Sequence, residues 1–303
     1  MKCSVYIGNG FDIACGFKTK YSQFIESAVF SELKKNCSLA QWIGCKYNED
    51  KDKWSDLEEL LFVYSHQLAT KFRLAPHEFE KETCLFKEDH MRLVLALQDY
   101  ITDQYSSSGN DKIPQIIDSW QSCLEIDRVC CFNYTPFVVL EKLLSDYIML
   151  DRVHGSLSPQ VKENDIKVKL GIDRVMKVCN EHSFLYKDTM PRYANGIWVE
   201  PDERLIASAT IVRTDFHPSF NNDDVIIIYG CSLGRSDTAY YRYLFNNAQY
   251  KRIIIYHYGK KEKDVFERRI NELTMNSFDM RIVRYIDSSI DNGYRVDFSK
   301  YIS

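Results

Sequence analysis

Chemistry in this chain would gather at five short stretches. The first is Gly8-Asn9-Gly10-Phe11-Asp12, which breaks the apolar run Cys3 to Ile7 and leads into a helix. Lacking a Cβ, Gly8 and Gly10 let a backbone bend at positive φ and bring its N–H groups close to an anion, while Asn9 tolerates left-handed geometry. A glycine turn after the first strand is where dinucleotide-binding folds hold phosphate, although the third glycine of that fingerprint would fall at Ile13. A turn that merely reverses the chain explains the same residues. The second stretch is Phe132-Asn133-Tyr134-Thr135-Pro136, where Asn133 follows a strand and precedes a helix, so that it either meets a ligand or satisfies turn backbone. The third, His154-Gly155-Ser156, offers an imidazole that titrates near neutrality, a base or a hydrogen-bonded loop residue. The fourth, Gly230 to Asp237, is a second glycine loop opening onto a helix, with Ser232, Leu233 and Asp237 at its bend and exit. In the fifth, Glu58 stands three residues after Ser55, which makes it half of a capping box or a pocket carboxylate.

The elements that must position these groups follow from periodicity. Apolar runs at Cys3 to Ile7, Arg128 to Phe132, Tyr147 to Val153, Val225 to Tyr229, Arg252 to Tyr256 and Arg281 to Tyr285 have the length and β-branched content of buried strands. Helical spacing separates them. Tyr21, Phe24, Ile25, Ala28 and Val29 mark one helix, with Thr19 placed to cap it, and Leu57 to Leu68, Met91 to Ile101 and Pro114 to about Leu124 mark three more. Thr135 and Pro136 are set as cap and first residue of the helix that follows. Later helices run through Tyr241, Leu244 and Phe245 and over Lys263 to Met275. The expected fold is α/β, a Rossmann-like, mostly parallel sheet. It forms a single nucleotide-binding domain over 1–303, with residues 20–125 a helical insertion subdomain after the first strand. Residues 180–215, rich in Pro, Tyr and charge, give no clear periodicity; Phe184, Tyr186, Tyr193 and Trp198 suit a ring-binding pocket or the packing of a flap.

Composition narrows the classes. A 303-residue chain with 45% hydrophobic residues can bury a continuous core, and a net charge of −4 gives no general attraction to nucleic acid. Ten cysteines, two of them adjacent at Cys130 and Cys131, show no disulfide or zinc spacing, which predicts reduced thiols and no metal. No segment approaches the roughly 20 apolar residues of a membrane helix, and no cationic, then apolar leader opens the chain. A soluble, unprocessed cytoplasmic protein without membrane contact is expected.

Strand ends at Gly8, Asn133, His154 and Gly230 would converge on one edge of a parallel sheet. In this combination the chain resembles the AbiH-type bacteriophage abortive-infection proteins. The matching blocks are IGNGFD at 7–12 with Thr19, Tyr21 and Phe24 behind it, Trp54 with Glu58, FNYT at 132–135, HGS at 154–156, LGI at 170–172 and YGCSLGRSD at 229–237. Cys231 departs from that pattern, which has His there. More distantly, the order of blocks is similar to the NAD-binding fold of sirtuins and sirtuin-like NAD hydrolases. That resemblance implies Gly8 and Gly10 at phosphate, Asn133 and His154 at the nicotinamide ribose, and Gly230 and Ser232 toward the adenosine; Asn9, Phe11, Thr19, Gly155, Leu233 and Asp237 are further cofactor-binding candidates in and beside the same blocks, without an assigned subsite. It does not extend to the zinc-ribbon cysteines of deacylating sirtuins, and Thr135 stands where they carry Asp.

The activity so implied is hydrolysis of the glycosidic bond of NAD, or a related nucleotide, in anti-phage defence. Asn133 would hold a water and His154 act as base, with Asp12 or Glu58 stabilising positive charge on the ribose. Two alternatives stay open: a nuclease or phosphoryl-transfer toxin binding Mg²⁺ through Asp12, Glu58 and Asp237, and a non-catalytic nucleotide sensor. A second copy of the chain or a phage-derived trigger is the expected partner besides the nucleotide.

Overall fold

The computed structural model describes residues 1–49, 76–107, 113–135, 149–152, 224–234, 237–248, 251–274, 277–289 and 297–302, together with 57, 60, 61, 63, 64 and 67. Six strands form one sheet: β1 (Lys2–Ile7), β2 (Glu125–Cys131), β3 (Met149–Arg152), β4 (Val225–Tyr229), β5 (Arg252–His257) and β6 (Val283–Asp287). Their order is β3-β2-β1-β4-β5-β6, and every pair is parallel. This is the doubly wound arrangement, in which the chain leaves the first strand in one direction and later crosses back to its other side. The α/β expectation and all six strands are therefore realised.

The strands read as continuous apolar runs because both faces are covered. Val5, Ile7, Ile227, Tyr229 and Ile254 point to one face, where α1 (Asn9–Ala14) contributes Phe11 and a later helix, Ile113–Gln121, contributes Ile117 and Trp120. Tyr6, Ile226, Ile228 and Ile255 point to the other. Helices Thr238–Asn247 and Gly259–Thr274 cover that face with Tyr241, Leu244, Phe245, Phe266 and Ile270.

Between β1 and β2 every described element is helical. After α1 come α2 (Tyr21–Ile25), α3 (Ala28–Leu33), α4 (Ser38–Glu49), α5 (Pro76–Ser107) and α6 (Ile113–Gln121). Following β4 and β5 are α7 (Thr238–Asn247) and α8 (Gly259–Thr274), and α9 (Ser299–Ile302) closes the described chain. The helical layer has its own core, in which Phe86, Leu93, Leu97 and Ile101 of α5 meet Phe24, Phe30, Leu39 and Ile43. Three local expectations are corrected. The single helix expected across Tyr21 to Val29 is two, because Ser27 caps a new helix by accepting the Phe30 N–H (3.2 Å). Thr19 is not a cap: Lys20 occupies that position, its N–H donating to Gln23 Oε1 (3.1 Å). The helices expected from periodicity also omit α4, whose buried face includes Ala40 and Gly44, residues that carry little hydrophobic signal.

Candidate functional site

The sheet order reverses between β1 and β4, and the C-terminal ends of these strands lie side by side with that of β2. Ile7 pairs with Cys131 on one side and Tyr229 on the other. The ladder continues one residue further, with Phe132 N–H donating to Ile7 O (2.8 Å) and Gly8 N–H to Tyr229 O (3.0 Å). Gly8, Asn133 and Gly230 thus share one edge, as their strand-end positions predict. His154, Gly155 and Glu58 lie outside the described residues.

The glycines serve a tighter purpose than the sequence suggests. Gly8 is extended (φ −118°, ψ −168°), and Gly10 sits inside α1. Positive φ belongs instead to Gly230 (+67°), and to Leu233 (+51°) farther along the same loop. A Cβ on Gly8 would stand 2.6 Å from Gly230 O, one on Gly10 2.5 Å from Gly230 Cα, and one on Gly230 2.3 Å from the Phe11 nitrogen. The β1–α1 turn and the β4 loop are therefore packed backbone on backbone. Gly10 N–H donates to Gly230 O (2.9 Å), so neither this N–H nor that of Gly8 points at a ligand. The expected positive φ at Gly8 and Gly10 is replaced by contact across the switch point. Asn9, the first residue of α1, is helical rather than left-handed. Its side chain clasps Thr19: Nδ2 donates to Thr19 O (3.0 Å) and Oδ1 accepts the Thr19 hydroxyl.

Asp12 lies beneath this edge, fully buried. Its Oδ2 accepts hydrogen bonds from the Tyr105 hydroxyl of α5 and from Asn133 Nδ2, and its Oδ1 accepts one from Thr135 Oγ1 (2.8 Å). One carboxylate therefore joins α1, the helical layer and the end of β2. Burial raises its pKa to about 7, against the lowering influence of the three donors. The same burial, with the neighbouring carboxylate, holds the Tyr105 phenol well above its usual value. Thr135, expected as a helix cap, commits its hydroxyl hydrogen to Asp12 instead; the helix expected beyond it lies outside the described residues.

Above the edge opens a cleft of about 750 Å³, within the range of small-molecule sites. Gly8, Asn9 and Gly10 line its centre with Gly230, Cys231 and Ser232. One wing carries Thr19, Lys20, Tyr21, Asn133 and Tyr134; the other carries Tyr256, Tyr258, Glu262 and Ser288; and Asp237 also lines the space. Three expected site residues sit elsewhere: Asp12 is buried below the cleft, Phe11 packs edge-on against Tyr229 in the core, and Leu233 is buried on the opposite face of the sheet. Cys231, buried and with its thiol pushed up by desolvation, faces the Tyr241 hydroxyl rather than a nucleophile's partner.

The second wing was missed from sequence. It comes from the ends of β5 and β6, which reach the same edge because those strands are parallel too, so the strand-end logic applied at Gly8 applies equally at His257 and Asp287. His257 is buried, with Nδ1 against Gly259 O (2.9 Å), and Ser288 donates both its N–H (2.7 Å) and its hydroxyl (2.9 Å) to His257 O. Glu262, in the first turn of α8, accepts the Tyr258 N–H, and desolvation raises its carboxyl above the usual range. Among the described residues no group of three His, Cys, Asp or Glu side chains is arranged to hold a metal ion, and no helix is long and apolar enough to cross a membrane.

No functionally curated protein matches the sequence. The family model described as "Bacteriophage abortive infection AbiH" matches residues 5–258, which takes in the second half of β1, β2 through β5, the helical layer and most of the cleft. Matched over most of its length, the chain belongs to the AbiH family of bacteriophage abortive infection, and its role is anti-phage defence.

Proposed function

We propose that the cleft binds NAD or a related nucleotide and that the protein hydrolyses its glycosidic bond as the chemical step of abortive infection. The observation that carries this reading is the position of the cleft. It spans the point where a parallel sheet of order β3-β2-β1-β4-β5-β6 reverses, the place where such sheets take dinucleotides, and it has a wing on each side for two nucleoside halves. The resemblance of the blocks at 7–12, 132–135, 154–156 and 229–237 to sirtuin-like NAD hydrolases supports the same substrate.

In this reading, the bond from ribose to nicotinamide breaks with its electron pair leaving on the ring nitrogen, which turns from a pyridinium into a neutral amine. A water oxygen bonds to the ribose carbon and surrenders a proton. Asn133, at the cleft wall, orients that water, and His154 takes the proton before passing it to solvent. Glu58 remains a candidate for stabilising the cationic ribose. Asp12 is too deeply buried to touch it. The same burial weighs against the metal-dependent nuclease, since the Asp12 oxygens already hold three donors below the cleft while Asp237 lines it.

The test is nicotinamide release from NAD by the purified full chain, with and without phage-infected lysate, in parallel with NAD binding. Asn133→Ala and His154→Ala are expected to retain binding and lose roughly 10²- to 10⁴-fold in rate. Wild-type protein that binds NAD and returns it intact under every condition is a sensor, and the hydrolase reading is then lost.

A further inference from the structure

Asn133 belongs to two environments at once: it lines the cleft, and its Nδ2 donates to a carboxylate that does not. An ionised carboxylate can only accept hydrogen bonds. Asp12 therefore selects one of the two amide orientations open to Asn133, the one with nitrogen facing down. Tyr105 and Thr135 donate to Oδ2 and Oδ1 of Asp12 and fix the carboxylate itself. From this geometry we infer that Asp12 is a positioning residue, which acts through Asn133 by locking its amide so that Oδ1, and not Nδ2, is offered to the cleft. An acceptor oxygen there takes a hydrogen from a water or a sugar hydroxyl, leaving that oxygen's lone pair free to turn toward an electrophilic carbon. A donor nitrogen in the same place would occupy that lone pair.

The inference also explains the cost the fold sustains in burying this carboxylate. Among the described residues, none of the influences acting on Asp12 comes from a cation, and its three partners come from residues 93 to 123 positions away. The titratable groups among the described residues that face this cluster are the Tyr105 phenol from α5 and the Cys131 thiol from the end of β2, whose sulfur lies 3.7 Å from Thr135 Oγ1. Once protonated, Asp12 becomes a donor, and the amide can reverse to offer it Oδ1. The orientation is thus linked to the protonation of a buried residue that does not line the cleft.

The catalytic half of this inference rests on the cleavage reading above, so the experiment has a ligand-free arm. In protein labelled with ¹⁵N-asparagine, the Asn133 carboxamide signals are identified by their absence from Asn133→Ala. They are expected to titrate between pH 5 and 9 with a midpoint near neutrality. Tyr105→Phe, which removes a donor to the ionised carboxylate, should raise that midpoint, and Asp12→Asn should abolish the titration. Signals that ignore pH in folded wild-type protein, or that titrate unchanged in Asp12→Asn, overturn the inference. In the activity arm, Asp12→Asn should lower kcat about 10²-fold with KM within about twofold, because a misaligned group costs rate rather than affinity. An unaltered kcat in that variant also overturns it. Absence of nicotinamide release overturns only the hydrolase reading; the carboxamide titration still decides the role of Asp12.

Discussion

Gly10 and Gly230, 220 residues apart in the chain, meet so closely that a Cβ on Gly10 would lie 2.5 Å from the Cα of Gly230. Backbone cannot move aside as a flexible side chain can. Gly10→Val should therefore separate the β1–α1 turn from the β4 loop and destabilise the fold by about 3 kcal/mol or more, with loss of the cleft. Gly16→Ala is the control: Gly16 has φ +94° but open space around its Cβ, so only backbone strain of about 1–2 kcal/mol is expected. Urea denaturation of the two variants measures the contrast. Equal losses would refute the packing role.

Asp12 makes the stability of the protein depend on pH with a definite sign. Its pKa is raised from 3.8 in the unfolded chain to about 7 in the fold. Over that interval the folded state binds the proton more tightly, so this group's contribution to stability falls as pH rises from about 4 to about 7 and is flat above. The full effect is on the order of 4 kcal/mol. Other groups titrate as well, and the quantity to read is the difference between wild type and Asp12→Asn in denaturation midpoints across that range. A constant difference would sink the assignment.

The Asn9–Thr19 clasp ties the start of α1 to the segment that leads into α2 at the cleft wall. Thr19→Val keeps the volume and removes the hydroxyl, leaving Asn9 Oδ1 without its donor. A loss of about 1–2 kcal/mol is expected, together with weaker nucleotide binding, because Lys20 and Tyr21 shift with their neighbour. Thr19→Ser should restore both. If Thr19→Val matches wild type in melting and in NAD affinity, the clasp has no role.

Glu262 lines the second wing with a partly buried carboxylate, one oxygen of which accepts the Tyr258 N–H. In a nucleotide site the other oxygen suits a sugar hydroxyl. Glu262→Gln is expected to leave stability nearly unchanged and weaken NAD binding about tenfold, the loss of one charge-assisted hydrogen bond. Titration calorimetry with NAD provides the measurement, and unchanged affinity would remove Glu262 from the site.

What the sequence determined by itself is the set of elements whose signal is local. Val225 to Tyr229 is apolar at every position because both faces of a parallel strand are covered, and that reason is visible in five consecutive residues. The strand ends at Ile7 and Tyr229, and that of β2 to within one residue, were legible for the same reason, and parallel pairing carried Gly8, Asn133 and Gly230 to one edge. The tertiary structure decided whatever depends on partners distant in the chain. The glycines at 8 and 10 could be recognised as necessary, yet only the approach of Gly230 shows that they answer to backbone contact and not to positive φ. Asp12 carried a carboxylate's signature and drew a role in the cleft. Its burial and its hydrogen bonds to Tyr105, Asn133 and Thr135 are products of packing the helical layer onto the end of β2, a long-range contact that leaves no periodic trace in the residues around it.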